Sequence, residues 1–531
     1  MKSTRMSRLV ALSCFAVTSS LLLAACGNSE KEKAKDPNEP VTLTVFDKNS
    51  KSNKWDDRIA KEVSKRTGVN IEIISPTGDA ESKLALLLSG KDYPDIVLTD
   101  RTGNLTSKFI DSGAFIELND LIDEKAPHVK EMYGDALNKT RYKDGKNYYL
   151  ANWYGPSSEP VDAFNMRYDI VTDLLGKERA DSDKPFTQTE FVELLKKFKE
   201  KYPEIDGNPT EGIILNGKEG GNFGTFEAMF GVERYYDNNG TLEWKVRDPQ
   251  YLEAMKFVNQ LYRDGFIDKE WVTVNPELLN QKLAMGNTLV APNAYWNMGP
   301  GNDSLKATKG EESQYVGYKV IADGLTDDQT TYGGRSSLGW DAIGITDNCE
   351  DVDAAMKLID FLASQEGQDL LLWGIEGEDY TIEDGKYVAN DETVAKFQKD
   401  FQAGIDETGI RKWTWFVNNK DHEDGSPNSI TNLASADQLP KKMVYQNLGG
   451  DTWDTAEFED LLPNGSTPQG LAAQKIADIY EQALPKMINA SSEAEMMKNY
   501  EQMIKDMEDA GLKDVEKSIN EKYQEQMELW K

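Results

Sequence analysis

Val41-Thr42-Leu43-Thr44-Val45-Phe46 is a run of β-branched and apolar residues, and it opens a rhythm that recurs up to residue 100. Branched side chains of this kind pack well on a pleated surface, so the run predicts a strand. Ser52 then stands where it can cap a helix carrying Trp55, Ile59 and Val63 on one face, with Gly68 as its stop. Val69 to Ile74 predicts a second strand. Glu81–Leu88 predicts a helix ended by Gly90, and Asp95-Ile96-Val97-Leu98 a third strand bounded by Pro94 and Asp100. Strands alternating with helices predict an α/β fold, with helices on the faces of a parallel sheet. Ligands of such sheets sit beyond the carboxyl ends of the strands. Asp47-Lys48 and Asp100-Arg101 follow the first and third strands, so both pairs fall on one rim.

The same style continues. Phe164–Tyr168, Ile213–Leu215 and Thr288–Pro292 read as strands, and Phe191–Phe198 and Tyr251–Tyr262 as helices, the latter stopped by Gly265. Ser337–Thr346 reads as a late strand region and Asp353–Leu362 as a helix. Ser491–Lys531 is mainly helical, with Met496, Met497, Tyr500, Met503, Ile504 and Met507 recurring at three and four residues. At that spacing the Met stripe is expected in a core rather than in a binding groove.

Ahead of the fold, Lys2, Arg5 and Arg8 precede an apolar run from Leu9 that closes on Leu23-Ala24-Ala25-Cys26-Gly27. A basic start, a short apolar stretch and small residues before a cut make a secretory signal. Cys26 directly after Leu-Ala-Ala resembles a bacterial lipobox, which implies a lipidated Cys as the first mature residue. Residues 27–40 contain no large apolar side chain and read as a flexible tether reaching at most ~45–50 Å.

Composition narrows the function classes. Without the signal's three cations, 57 Lys+Arg stand against 92 Asp+Glu, a formal charge of −35. Such a chain should repel nucleic acid and anionic lipid, although a local basic pocket could still hold an anion. Beyond Cys14 and Cys26 there is Cys349 alone, so no intramolecular disulfide is expected. His128 and His422 are the only histidines, which nearly excludes a His-rich zinc site. No other stretch reaches the ~18 apolar residues of a membrane helix.

Several stretches together carry a resemblance. They are Asp92-Tyr93-Pro94-Asp95-Ile96-Val97-Leu98-Thr99-Asp100, Leu261-Tyr262-Arg263-Asp264-Gly265-Phe266-Ile267-Asp268, and Ala355-Met356-Lys357-Leu358-Ile359-Asp360-Phe361-Leu362 with Glu366-Gly367. Gly374 to Tyr380 fits the longer, lipoprotein-type members. In this order behind a lipobox, the chain resembles the extracellular solute-binding proteins (family 1-like) of bacterial carbohydrate ABC transporters. The resemblance implies a two-lobed periplasmic-binding-protein (Venus-flytrap) fold, type II-like, with discontinuous lobes and extra C-terminal helices. It implies a monomer outside the cytoplasmic membrane, lipid-anchored, handing an oligosaccharide to ABC permease subunits. Residues 1–25 are then the signal and 26–40 the lipidated Cys with its tether. Residues 41–155 with about 325–380 form one lobe, and 156–324 with about 381–531 the other. The chain is expected to cross near Tyr149–Asp162, to return between about 310 and 335, and to cross again near 380.

Sugar binding needs aromatic faces for ring C–H surfaces and charged or amide groups for hydroxyls. The candidate aromatics are Trp55, Trp153, Tyr154, Tyr295, Trp296, Trp340, Trp413 and Trp415. Relatives of the maltose-binding type place sugar-contacting pairs where Asp47-Lys48 and Asp100-Arg101 stand, and an aromatic pair near Tyr295-Trp296. Asp341 and Arg335 complete the candidate set. Lys48, Arg101, Arg167 and Arg335 leave uronate-containing glycans open, and neutral oligosaccharides fit as well. Asp206-Gly207-Asn208-Pro209-Thr210-Glu211 offers oxygen ligands from Asp206, Asn208 and Glu211 as calcium loops do, but Pro209 interrupts it and a β-turn is the preferred reading. No cofactor is expected, and any calcium would be structural. The alternatives are a binding protein for another solute such as a peptide, and a surface glycosidase using paired carboxylates.

Overall fold

The structure, a computed structural model, describes residues 40–531 apart from 51, 218–221 and 464. The signal run, Cys26 and the tether up to residue 39 lie outside the described residues. Among the described residues no helix is long and apolar enough to cross a membrane.

Strand Val41–Asp47 pairs in parallel with Val69–Ile74 on one side and Ile96–Asp100 on the other. Helix Arg58–Thr67 connects the first two. Its cap is Asp57, which accepts the Ala60 N–H at 2.9 Å, and not Ser52 as the sequence suggests. The helix starts late because the chain first turns Trp55 inward, ahead of the helix. Gly68 ends it with φ 71°, a left-handed turn that costs glycine no Cβ clash. Asp341–Ile345 runs antiparallel to Ile96–Asp100 and also holds Leu150–Ala151, which completes a five-stranded sheet.

The second sheet runs Glu211–Ile213, Thr288–Ala294, Asp162–Arg167, Tyr315–Tyr318. Thr288–Ala294 is buried along its whole length, as a strand covered on both faces should be. Two lobes result, each with its own core. Val45, Ile71, Leu98, Ile343, Ile359 and Leu371 belong to the first. Phe164, Phe191, Phe226, Val258, Leu289 and Val316 belong to the second. Helices Pro468–Ile488, Glu493–Asp509 and Leu512–Leu529 pack on the second core, and Met496, Met503 and Met507 of the Met stripe are buried there.

The chain passes between the lobes three times. It leaves the first sheet after Ala151 and the first core after Tyr154, and enters the second sheet at Asp162. It returns between Tyr332, still in the second core, and Asp341. The expected exit near 380 is corrected. Phe397, Ile410, Trp413, Phe416, Ile430 and Ala434 all remain in the first core, and the chain's buried residues rejoin the second from Met443 onward. The hairpin Tyr380–Glu383 with Lys386–Ala389 looks like a departure in sequence. Tyr380 is nevertheless buried against Trp373, and the aromatic residues that follow need an apolar home already built by Trp55 and its neighbours.

Asp162 opens its strand partly buried, and its desolvation pushes the carboxyl up to about 6. Between roughly pH 4 and 6 the unfolded chain is then ionised while the folded chain still holds a proton. Stability therefore falls as pH rises through that window, and the cost persists at neutral pH. Asp162→Asn is expected to raise the melting temperature at pH 7 and to flatten its slope between pH 4 and 6. Calorimetry that finds both unchanged would refute this.

Candidate functional site

The site starts from one amide. Asn152 sits between the short strands Leu150–Ala151 and Trp153–Tyr154 and is buried. Its Oδ1 accepts the backbone N–H groups of Trp340 and Asp341 at 3.1 and 3.0 Å, and its Nδ2 donates to Asp341 Oδ2 at 3.0 Å. Three bonds to consecutive residues fix where Trp340 leaves the backbone, beside the indole of the next residue, Trp153. The two rings stack with centroids 6.1 Å apart and planes at 16°. Trp340 stays 47% exposed, an unusual cost for a large apolar ring. Gly339 permits this approach. It has φ 60°, and a Cβ there would lie 2.4 Å from Asn152 Oδ1 and 2.5 Å from the Trp153 carbonyl oxygen. Gly339→Ala is expected to push Trp340 off Trp153 and to lower stability by about 2 kcal/mol, from left-handed strain plus the broken staple. Near-UV circular dichroism and thermal melts check both effects.

The stack forms one wall of a cavity of ≈ 480 Å³ whose lining comes from both lobes. Arg411 lies over Trp153, its Cζ 5.4 Å from the ring centroid. Asn419, Asp421, Asn428 and Asn432 follow in the loop and helix that close the first lobe. Facing them, Lys441 and Tyr445 project from helix Leu439–Leu448, and Arg335 from strand Gly334–Arg335. Glu159, from the first crossing, accepts the Tyr295 hydroxyl at 2.8 Å and Arg335 Nη1 at 2.9 Å. Burial alone would raise the Glu159 carboxyl, but the bonds from Arg335 and Tyr295 outweigh it and hold the group below its usual range. Burial pulls Lys441 down to about 8 and also lowers Arg411. The cavity thus offers an exposed aromatic pair, a ring of amides and fixed charges: groups that hold hydroxyls and ring faces.

Of the residues expected from sequence, Trp153, Trp340 and Arg335 line this cavity, and Tyr295 supports it through Glu159. Trp296 is 45% exposed and packs edge-on to Tyr295 at 5.3 Å, off the cavity lining. Trp55, Trp413 and Trp415 do not face it. They are 8%, 2% and 4% exposed and form a cluster inside the first lobe, Trp55 on Trp415 at 5.5 Å and 3°. Their N–H groups are engaged internally: Trp413 with Asp57 at 2.8 Å, Trp415 with Asp47 at 2.9 Å, Trp55 with Ser64 at 3.0 Å. Tyr154 is also internal, stacked on Tyr133 at 3.6 Å.

The rim charges are tied to each other. Lys48 bonds Asp100 and lies 2.8 Å from Asp341, which also accepts Asn49 Nδ2 at 2.6 Å. Arg101 turns away to Glu459 and, at 2.9 Å, to Asp460, so it joins the third strand's rim to a segment packed with the second core. Arg167 is buried on Asp169 at 2.6 Å. The reason is shared: charges brought together at strand ends are costly to bury singly, so they neutralise one another.

The calcium candidate is a hairpin turn. Asp206 and Gly207 have φ 50° and 76°, both positive as a two-residue type I′ loop demands, between Glu204–Ile205 and Asn208–Pro209. Asp206 pairs with Lys309, and Glu211 with Lys282 at 2.6 Å. Among the described residues no three His, Cys, Asp or Glu gather as a metal site would require.

Sequence reasoning missed Glu159, Arg411, Lys441 and Tyr445. Glu159 had a usable signal, a lone carboxylate inside a predicted crossing. The others sit in 410–445, where no periodicity marks the fold.

Comparison with known proteins follows this geometry. The family described as bacterial extracellular solute-binding protein matches residues 48–369. The fructooligosaccharide ABC transporter substrate-binding protein FusA of Streptococcus pneumoniae is 28% identical over 286 residues, 48% of this chain and 52% of the relative. The chain thus aligns with about half of that relative's length. Lipoprotein LipO of Bacillus subtilis is 22% identical over 384 residues, 70% of this chain and 73% of the relative. The crystal structure of alginate-binding protein AlgQ2 without calcium ion superposes with a TM-score of 0.67 at 19% identity, covering 92% of this chain and 98% of that one.

Proposed function

The chain belongs to the bacterial extracellular solute-binding proteins, and on that premise we propose that it captures an oligosaccharide in the cavity between its lobes and passes it unchanged to the permease of an ABC importer. The observation that carries this reading is the half-exposed Trp340 stacked on Trp153 beside amides and fixed charges from both lobes. A ring face left open to solvent at 47% is worth its cost when a pyranose or furanose covers it. The fructooligosaccharide-binding relative FusA and the alginate-binding protein AlgQ2 support the same ligand class.

Three crossing segments allow the lobes to close as rigid bodies about a hinge. A ligand touching Arg411 and Asn419 on one side and Tyr445 and Arg335 on the other gains both sets of contacts only in the closed state, so its binding shifts the population toward closure. No group has to donate or accept a proton for this. The cavity carboxylate Glu159 is committed to Arg335 and Tyr295. We further propose a lipid on Cys26 and residence at the outer face of the cytoplasmic membrane as a monomer, a reading that LipO's name supports.

The test is a panel of di- to tetrasaccharides read by thermal shift and Trp fluorescence, with short peptides as the competing class. At least one sugar should raise the melting temperature, because ligand held by the folded state alone stabilises it. The same sugar should be recovered intact by chromatography. Response to peptides alone, or cleavage of the sugar, would overturn the proposal.

A further inference from the structure

In a chain with 92 acidic against 60 basic side chains, a cation with no carboxylate within 4.0 Å calls for an account. Among the described residues three such cations, Arg411, Lys441 and Lys442, line the cavity, and the first two are held in place by neutral side chains. Arg411 donates through Nη1 to Thr431 Oγ1 at 3.1 Å. Lys441 Nζ donates to Asn432 Oδ1 at 2.9 Å and Ser435 Oγ at 3.0 Å. All three acceptors are neutral, and among the described residues neither cation forms an ion pair within 4.0 Å. The cavity's acids are otherwise engaged: Glu159 answers Arg335, and Asp421 Oδ1 accepts the Asn428 N–H at 2.9 Å. The lining therefore carries an excess of positive charge inside a strongly negative protein.

The backbone holds one of these cations in place at a cost. Arg411 has φ 62°, a region that a long side chain avoids by roughly 1–2 kcal/mol. Its N–H is anchored to the Leu371 carbonyl at 2.7 Å, and its guanidinium lies between the rings of Trp153 and Phe401, 5.4 and 5.6 Å from their centroids. Strain and stacking together set a planar fork of N–H donors, mostly unspent on protein acceptors, beside the Trp153–Trp340 pair. Burial disfavours the charge on both Arg411 and Lys441, a penalty that an incoming anion would relieve.

We propose, resting on the carbohydrate reading above, that the ligand is an acidic oligosaccharide whose carboxylate is received by Arg411 and Lys441 while a sugar ring covers Trp340. A carboxylate matches the guanidinium fork in two parallel hydrogen bonds, and a sugar hydroxyl does not.

The experiment is calorimetric titration of the whole protein with matched pairs. Each pair is a uronate trisaccharide (galacturonate, mannuronate, guluronate or glucuronate-terminated) and the same sugar with its carboxyl reduced to the alcohol. Sulfated trisaccharides form a third arm. At least one uronate should bind 30-fold or more tightly than its reduced twin, and the gap should narrow as salt rises from 50 to 500 mM. Arg411→Gln and Lys441→Met should each shrink the gap below fivefold, and Lys441→Met should not lower the melting temperature of the free protein, since it removes an uncompensated charge. Should Arg411→Gln fail to fold, the wild-type pairs decide alone. Equal affinity for acid and reduced twin, or binding of neutral sugars only, overturns the charge assignment and leaves the carbohydrate reading standing. Preference for the sulfated arm overturns the carboxylate. Binding of no sugar in any arm overturns both readings.

Discussion

Trp340→Ala is expected to weaken oligosaccharide binding by about 30- to 150-fold while leaving the free protein folded. The indole is nearly half exposed and makes its main contact with Trp153 on the cavity wall. Truncation therefore takes little from either core. A ring face of this size covered by ligand removes on the order of 100 Å² of apolar surface from water, or about 2–3 kcal/mol, which is the stated change in affinity. Trp296→Ala is the control. That ring is as exposed but packs on Tyr295 away from the cavity, so its loss should leave affinity within about twofold. Titration of the two variants separates the cases. Wild-type affinity in Trp340→Ala, or a comparable loss in Trp296→Ala, would place the ligand elsewhere.

Trp415→Ala is expected to act oppositely, costing about 3–5 kcal/mol of stability with no direct effect on ligand contacts. Trp415 is 4% exposed, stacks on Trp55 and gives its N–H to Asp47 Oδ2 at 2.9 Å. Its removal opens a void between Trp55 and Trp413 and strips a bond from a buried carboxylate whose ionisation burial already opposes. Denaturant melts measure the loss. Were Trp415→Ala to melt like wild type yet lose its sugar, the three-indole cluster would be a binding surface after all, as its sequence neighbourhood suggests.

That contrast shows what the sequence could and could not convey. The alternation from Val41 to Asp100 produced strand, helix, strand, helix and strand in the expected order, because branched residues and the Gly68 stop are local signals, although the first helix starts at Arg58 and not after Ser52. The long C-terminal helices were legible for the same reason, whereas the two lobes were implied by the resemblance and by no local pattern. Trp153 and Trp340 stood out in the sequence because an indole in a loop or crossing is less needed for a core, and both line the cavity, as does Arg335. Trp55, Trp413 and Trp415 misled because their burial depends on a meeting of residues some 360 positions apart, which no local pattern encodes. Lys48 and Arg101 misled in a related way. Their neutralising partners, Asp341, Glu459 and Asp460, arrive from remote parts of the chain and take up the charge that a ligand was expected to meet. Arg411 was invisible because its value lies in a positive φ and a missing carboxylate, both properties of the fold.

The position of Asp341–Ile345 between Ile96–Asp100 and Leu150–Ala151 has a consequence for biogenesis. Read from the amino end, a growing chain presents every strand of the second sheet, the last ending at Tyr318, before this insert. The later-encoded half can therefore gain its sheet first, while the earlier half waits with a gap in its middle. The half encoded first is thus the one whose sheet is completed last along the chain.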